Sequence, residues 1–144
     1  MTQQRKNLKI ASILVLVYAA WSLIKTVIDL IITDFSSINA SENVLLVSKI
    51  IVVVLTAVLL LPELFIGLKG LKIAKDPTSY TGKAHIVWAI VLLVLALIAW
   101  ISPIAGLIKQ EAVASNLTTL GTLACDTAIL ALYLASAKSV AKAN

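Results

Sequence analysis

Lys25, Asp29, Lys49 and Asp126 interrupt stretches that are otherwise apolar enough to cross a bilayer. A charged side chain at the centre of a membrane helix costs roughly 2.5 to 3.5 kcal/mol on insertion scales, so four facing lipid would cost on the order of 10 to 14 kcal/mol. A chain with this pattern has few ways to fold, because those groups must look toward protein, water or each other. The rest of the composition fits a bilayer rather than water: 60% of residues are hydrophobic, 13% are charged, and the mean hydropathy is +1.03. A soluble domain carries about twice that share of charge.

The apolar stretches fall at residues 8–33, 44–68, 84–106 and 112–137, each long enough at about 1.5 Å per residue to cover a hydrocarbon core of roughly 30 Å. The predicted fold class is therefore all-α: a polytopic membrane protein, a four-transmembrane-helix bundle with short loops, forming one domain over residues 1–144. Ser36, Ser37, Asn39 and Ser41 supply turn and capping chemistry between the first two spans. Asp76, Pro77, Thr78, Ser79, Tyr80, Thr81 and Gly82 form a linker dense in breakers, and Lys109, Gln110 and Glu111 link the last two spans. Pro62 and Glu63 interrupt the second span, which is expected to continue, kinked, to a basic end at Lys69, Lys72 and Lys75. Ser102, Pro103 and Gly106 loosen the end of the third. No strand pattern is present. The apolar run after Arg5, Lys6 and Lys9 exceeds the roughly 7 to 15 residues of a signal-peptide core and lacks a small-residue cleavage site, so a retained first span is expected.

Orientation follows from the basic residues. Arg5, Lys6, Lys9, Lys69, Lys72, Lys75, Lys83, Lys138 and Lys142 gather on one side of the predicted spans, against Lys109 on the other. Positive residues stay inside, so a multi-pass protein with both termini cytoplasmic is expected. The partners implied are the lipid bilayer itself and anionic lipid at the cytoplasmic face, where Lys69, Lys72 and Lys75 form a ridge. The net charge of +5 is explained by these flanks, and no nucleic-acid role is expected.

The charges can be ranked by depth. Measured from the outer boundary at about 1.5 Å per residue, Asp29 lies about 6 Å, Lys49 about 9 Å, Lys25 about 12 Å and Asp126 about 21 Å deep. A cluster of Lys25, Asp29 and Lys49 is expected in the outer half, with Asp126 separate from it. Helical spacing places Tyr18, Ser22, Lys25 and Asp29 on one face of the first span. It does the same for Ser115, Thr119, Thr122, Asp126 and Tyr133 on the fourth. The two polar stripes are expected to meet in the bundle, their hydroxyls bonding to charges or to neighbouring backbone. Glu63 beside Pro62 reads as an interfacial carboxylate near Lys69, His85 as an interfacial polar anchor, and Trp88 and Trp100 as anchors toward opposite interfaces.

No catalytic residue is assigned, because no nucleophile and base pair, no phosphate-cradling glycine loop and no Cys/His cluster with metal spacing is present. No metal or cofactor is expected, and the single Cys125 reads as a packing residue. Function is therefore expected in one of two classes. The first is a non-enzymatic interaction or accessory subunit, whose intramembrane charges hold helices together or dock a partner, either a second copy or another membrane protein. The alternative is a small oligomeric transporter or channel that moves an ion, a proton or a small polar solute past Lys25, Asp29 and Asp126.

Overall fold

The computed structural model describes residues 2–79 and 82–143; Tyr80 and Thr81 of the predicted linker lie outside the described residues. Among the described residues the chain forms six α-helices and no strand: α1 Gln3–Ile32, α2 Glu42–Leu59, α3 Leu61–Lys75, α4 Ala84–Ala99, α5 Ile101–Ile108 and α6 Val113–Ala143. A short 3₁₀ turn covers Pro77–Ser79. Each of α2/α3 and α4/α5 continues across a single interrupting residue, so four helical rods are long and apolar enough to span a membrane: Gln3–Ile32, Glu42–Lys75, Ala84–Ile108 and Val113–Lys142. The fold is an all-α four-helix bundle.

Both interruptions have the same cause. Leu60 keeps a helical φ of −84° but a ψ of −9°, and its N–H reaches back three residues to the Ala57 carbonyl at 3.2 Å. Trp100, with ψ −24°, does the same to Leu97 at 3.2 Å. A proline follows each within three residues, Pro62 and Pro103, and proline withholds the N–H that would close the next turn. The kinked continuation expected at Pro62 is present, and a second kink lies ahead of Pro103.

The helix ends are built from local chemistry. Thr2 and Ser41 accept from the Arg5 and Val44 N–H groups at 3.3 Å each, capping α1 and α2. The Arg5 guanidinium donates from Nε to the Ala74 carbonyl at 2.9 Å and from Nη2 to the Lys75 carbonyl, closing the carbonyl end of α3 with a cation. After α5, Glu111 N–H bonds to the Gly106 carbonyl at 2.9 Å and Gln110 N–H to Leu107 at 3.0 Å. That is a Schellman turn, and its left-handed residue is Gln110, at φ 59°, where glycine is the usual occupant.

The core sits toward the basic ends of the helices. Leu8, Ala11 and Val15 of α1, Ile66, Ile73 and Ala74 of α3, Ala89 of α4, and Leu130, Tyr133, Ala137 and Val140 of α6 are buried together. α3 approaches its neighbours most closely at two glycines. A Cβ on Gly70 would lie 2.1 Å from Ser12 Oγ and 2.7 Å from Tyr133 Cε2, and one on Gly67 would lie 2.6 Å from Leu16 Cγ. Only glycine allows the backbone this near, as in other small-residue helix contacts. Away from the basic end α5 stays against α6, but α1 and α2 are left exposed. α2 has no buried residue along its whole length, and the buried residues of α1 all precede Trp21.

Candidate functional site

Counted from the basic ends at about 1.5 Å per residue, Leu60, Trp100, Tyr18 and Asp126 all lie about 22 to 26 Å along their rods, with Glu63 roughly one turn nearer the basic end. The two kinks and two of the polar side chains, Tyr18 and Asp126, therefore share one level. Above it α1 and α2 carry no buried residue while α5 still packs on α6 at Pro103 and Gly106, and below it the bundle is packed.

The open side holds most of the residues singled out by charge. Lys25 Nζ lies 3.9 Å from Asp29 Oδ2 across one helical turn, with side chains 48% and 57% exposed. They answer each other, but they do not face the interior of the bundle as expected. Lys49 does not join them. Its ammonium lies 4.8 Å from the ring centroid of Phe35, a cation–π contact with the loop after α1. Lys49 lines the shallow grooves between α1 and α2 with Leu30 and Val52, and with Val27 and Val53. The expected three-member cluster is thus a pair and a separate lysine. The physical reason is the placement of α2, which rests on the far half of α1 and turns Lys49 toward the loop.

Both polar stripes run from half-buried to exposed positions. Tyr18 and Ser22 are half-buried while Lys25 and Asp29 are exposed; on α6, Thr122 and Asp126 are half-buried while Ser115 and Thr119 are exposed. Among the described residues one hydrogen bond joins the stripes, from the Tyr18 hydroxyl to the Thr122 carbonyl at 3.4 Å. The threonine hydroxyls do not reach across. Thr119 donates to Ser115 at 3.0 Å and Thr122 to Thr118 at 3.1 Å, each satisfied by its own helix.

About one turn nearer the basic end than the kinks lies a carboxyl group that spacing placed at an interface. Glu63 is buried, with 9% of its surface exposed. Its Oε2 has no hydrogen-bond partner. Beside Asp126, Thr127 accepts from the Trp100 indole Nε1 at 3.1 Å, so Trp100 is tied to α6 at the kink rather than serving only as an interfacial anchor.

Nearer the basic end, a second polar layer locks the core. The Tyr133 hydroxyl donates to the Ile66 carbonyl at 2.7 Å, and Ser12 donates to the Leu8 carbonyl at 2.7 Å. His85, 4% exposed, meets the edge of the Tyr133 ring with centroids 6.4 Å apart. Both Glu63 and His85 were expected at an interface. Glu63 is instead drawn inside because the kink at Leu60 and the close approach at Gly67 and Gly70 turn this face of α3 onto α1 and α6. Phe65 keeps a cation near α3, with Lys69 Nζ 6.0 Å from its ring centroid.

Among the described residues, no three His, Cys, Asp or Glu side chains come together as a metal site would require. Cys125 is exposed and carries a free thiol. No family model, curated protein or solved structure matches the chain.

Proposed function

We propose that this protein is a non-enzymatic interaction subunit of a membrane, whose open half docks a further transmembrane helix. One observation carries the reading: an ion pair, Lys25 and Asp29, is about half exposed on a rod apolar enough to cross a bilayer. Two such groups against lipid would cost on the order of 5 to 7 kcal/mol, a cost that a covering protein surface removes. The absence of any buried residue on α2, and the exposed Ser115 and Thr119, support the same reading. The occupant that fits best is a second copy. A two-fold-related α1 presents Asp29 to Lys25 and Lys25 to Asp29, one helical turn apart, so both charges exchange partners symmetrically. In this arrangement the basic end faces the cytoplasm, with Lys69, Lys72 and Lys75 against anionic headgroups.

The test uses Ile32, which is 73% exposed and lies on the helical face of Lys25 and Asp29. In a Cys125→Ser background, Ile32→Cys is expected to form a disulfide-linked dimer in native membranes. The double substitution Lys25→Leu, Asp29→Leu should leave insertion and folding intact while reducing that dimer at least several-fold. A protein that stays monomeric at every lipid-to-protein ratio, with or without the charges, would reject self-docking.

A second reading, transport of an ion or small polar solute, draws on a different observation: polar side chains are spaced along α1 and α6 from the exposed Lys25–Asp29 pair to the half-buried Asp126 at the kink level. Discontinuous helices near the midplane are where transporters place their binding groups. Flux measured in liposomes should fall in Asp29→Asn and Asp126→Asn if this reading holds, and stay at the background leak if it does not.

A further inference from the structure

At the basic end of the bundle a cavity of about 470 Å³ opens between the end of α3, the start of α4 and the last turns of α6. Ile73 of α3, Ile86 of α4, and Ala137 and Val140 of α6 form its apolar wall, while Thr78 and Lys83 supply polar lining. Ile73, Ala137 and Val140, with His85 beside them, are each between 2% and 4% exposed, whereas Thr78 and Lys83 are exposed. The cavity therefore reaches from a charged surface into the packed core. Its volume falls within the range of roughly 300 to 1,000 Å³ typical of small-molecule sites. Water fills such a space poorly, because an ordered water needs about two to four polar partners and most of this wall offers none.

We infer that this cavity holds the head and glycerol region of one anionic phospholipid, with the phosphate at Lys83 and the first methylenes against Ile73, Ile86, Ala137 and Val140. Three observations point to that occupant. An apolar wall beside an exposed ammonium suits an amphiphile better than a bare ion or a wholly polar solute. The charge around the cavity is one-sided: Lys138 and Lys142, each one residue past a lining alanine of α6, are exposed, as are Lys72 and Lys75 of α3. Among the described residues Asp76 is the one acidic side chain at this end, and it is engaged with the Thr78 N–H at 3.1 Å and hydroxyl at 2.7 Å. The position along the rods is that of headgroups, since all four membrane-length rods begin or end here, at Gln3, Lys75, Ala84 and Lys142. Basic pockets between membrane helices at a cytoplasmic face bind anionic lipid heads in this way. The ridge of Lys69, Lys72 and Lys75 attracts a diffuse layer, but a cavity with a buried wall holds one molecule in one place. The inference rests on the membrane reading, with the basic end at the headgroups; it is independent of self-docking, which concerns the far half of α1.

The experiment is native mass spectrometry of the full chain released from nanodiscs of equal parts phosphatidylglycerol and phosphatidylcholine. Thermal unfolding is then measured in detergent with either lipid, or inorganic phosphate, added back. One phosphatidylglycerol per chain is expected to stay bound, at least several-fold in excess of phosphatidylcholine, and to raise the unfolding temperature where phosphatidylcholine does not. Lys83→Gln, which removes the charge, and Ala141→Leu, which adds bulk at the cavity, should each lower retention several-fold. Lys72→Gln, at an exposed lysine outside the cavity lining, should leave retention unchanged. Equal losses in Lys83→Gln and Lys72→Gln would reduce the binding to surface attraction and overturn the site. Stabilisation by inorganic phosphate as large as by phosphatidylglycerol would overturn the lipid as occupant. Wild-type protein that keeps no phosphatidylglycerol in excess of phosphatidylcholine would overturn the inference however the variants fold. Presence or loss of the Ile32→Cys dimer leaves each of these outcomes unchanged, so the two proposals fail separately.

Discussion

At the scale of single residues, the bundle is decided by a few close contacts. Gly70 is wedged between Ser12 and Tyr133, and any side chain there must push α3 off α1 or α6. Gly70→Ala is expected to destabilise the protein by about 1 to 3 kcal/mol, the usual range for overpacking a tight core. Gly121 is the internal control: an added Cβ there meets nothing within 4 Å. Gly121→Ala should be neutral or stabilising by up to about 1 kcal/mol through helix propensity alone. Thermal unfolding of both variants in the same detergent checks the pair, and equal effects would show that the contact at Gly70 is not tight. Tyr133 was visible in the sequence as one member of a polar stripe. Its bond to the Ile66 carbonyl was not, because a hydroxyl can find any carbonyl within reach and the sequence does not say which helix will supply it. Glu63 was read as interfacial for a similar reason. A proline–acid pair near a membrane boundary carries no sign of which way the kink turns its face.

At the scale of elements, the turns were more legible than the contacts. The four apolar stretches, the breaker-rich connections and the proline kink in the second rod follow from composition and from the missing proline N–H. The kink at Trp100 is the same physics, since Pro103 was noted only as loosening a helix end. What local sequence could not state is how far α2 would stand from the others, because an apolar helix reads alike whether it faces protein or lipid. The Schellman turn after α5 supports a direct prediction. Gln110 occupies a left-handed position that costs an L-residue roughly 1 to 2 kcal/mol, partly offset because glycine gains freedom in the unfolded chain. Gln110→Gly is expected to raise stability by up to about 1 kcal/mol, measured as a higher midpoint of chemical unfolding. A lower midpoint would show that the Gln110 side chain contributes more than its backbone strain.

At the scale of the whole molecule, both connections at opposite ends are tied by one device, an aspartate bonded to an N–H two residues on. Asp34 accepts from Ser36 at 2.9 Å; Asp76 accepts from Thr78 N–H at 3.1 Å and from its hydroxyl at 2.7 Å. The Thr78 and Ser36 donors hold these two carboxyls below the usual carboxylate range. A lowered folded-state value means the contribution is complete above the ordinary aspartate value of about 4 and is lost as pH falls through the lowered ones. The amide resonances of Ser36 and Thr78 should therefore hold constant from neutral pH down to about 4 and shift only below it. A shift centred above that value would contradict the bonded geometry. The charged residues of the open half show the corresponding limit at this scale. Spacing placed Lys25 and Asp29 on one face with Tyr18 and Ser22, and the structure agrees, but whether that face is covered depends on the divergence of whole rods, which no local pattern encodes.

α1 and α6 run without interruption for 30 and 31 residues. Each is about 45 Å long, against a hydrocarbon thickness of roughly 30 Å. Rods that overshoot their solvent lean, whereas kinked ones can bend to fit. Membrane thickness therefore acts on this protein as a lever. A thinner bilayer is expected to tip the two straight helices further and a thicker one to stand them more upright, while α3, held at Gly67 and Gly70, keeps its contact with α1.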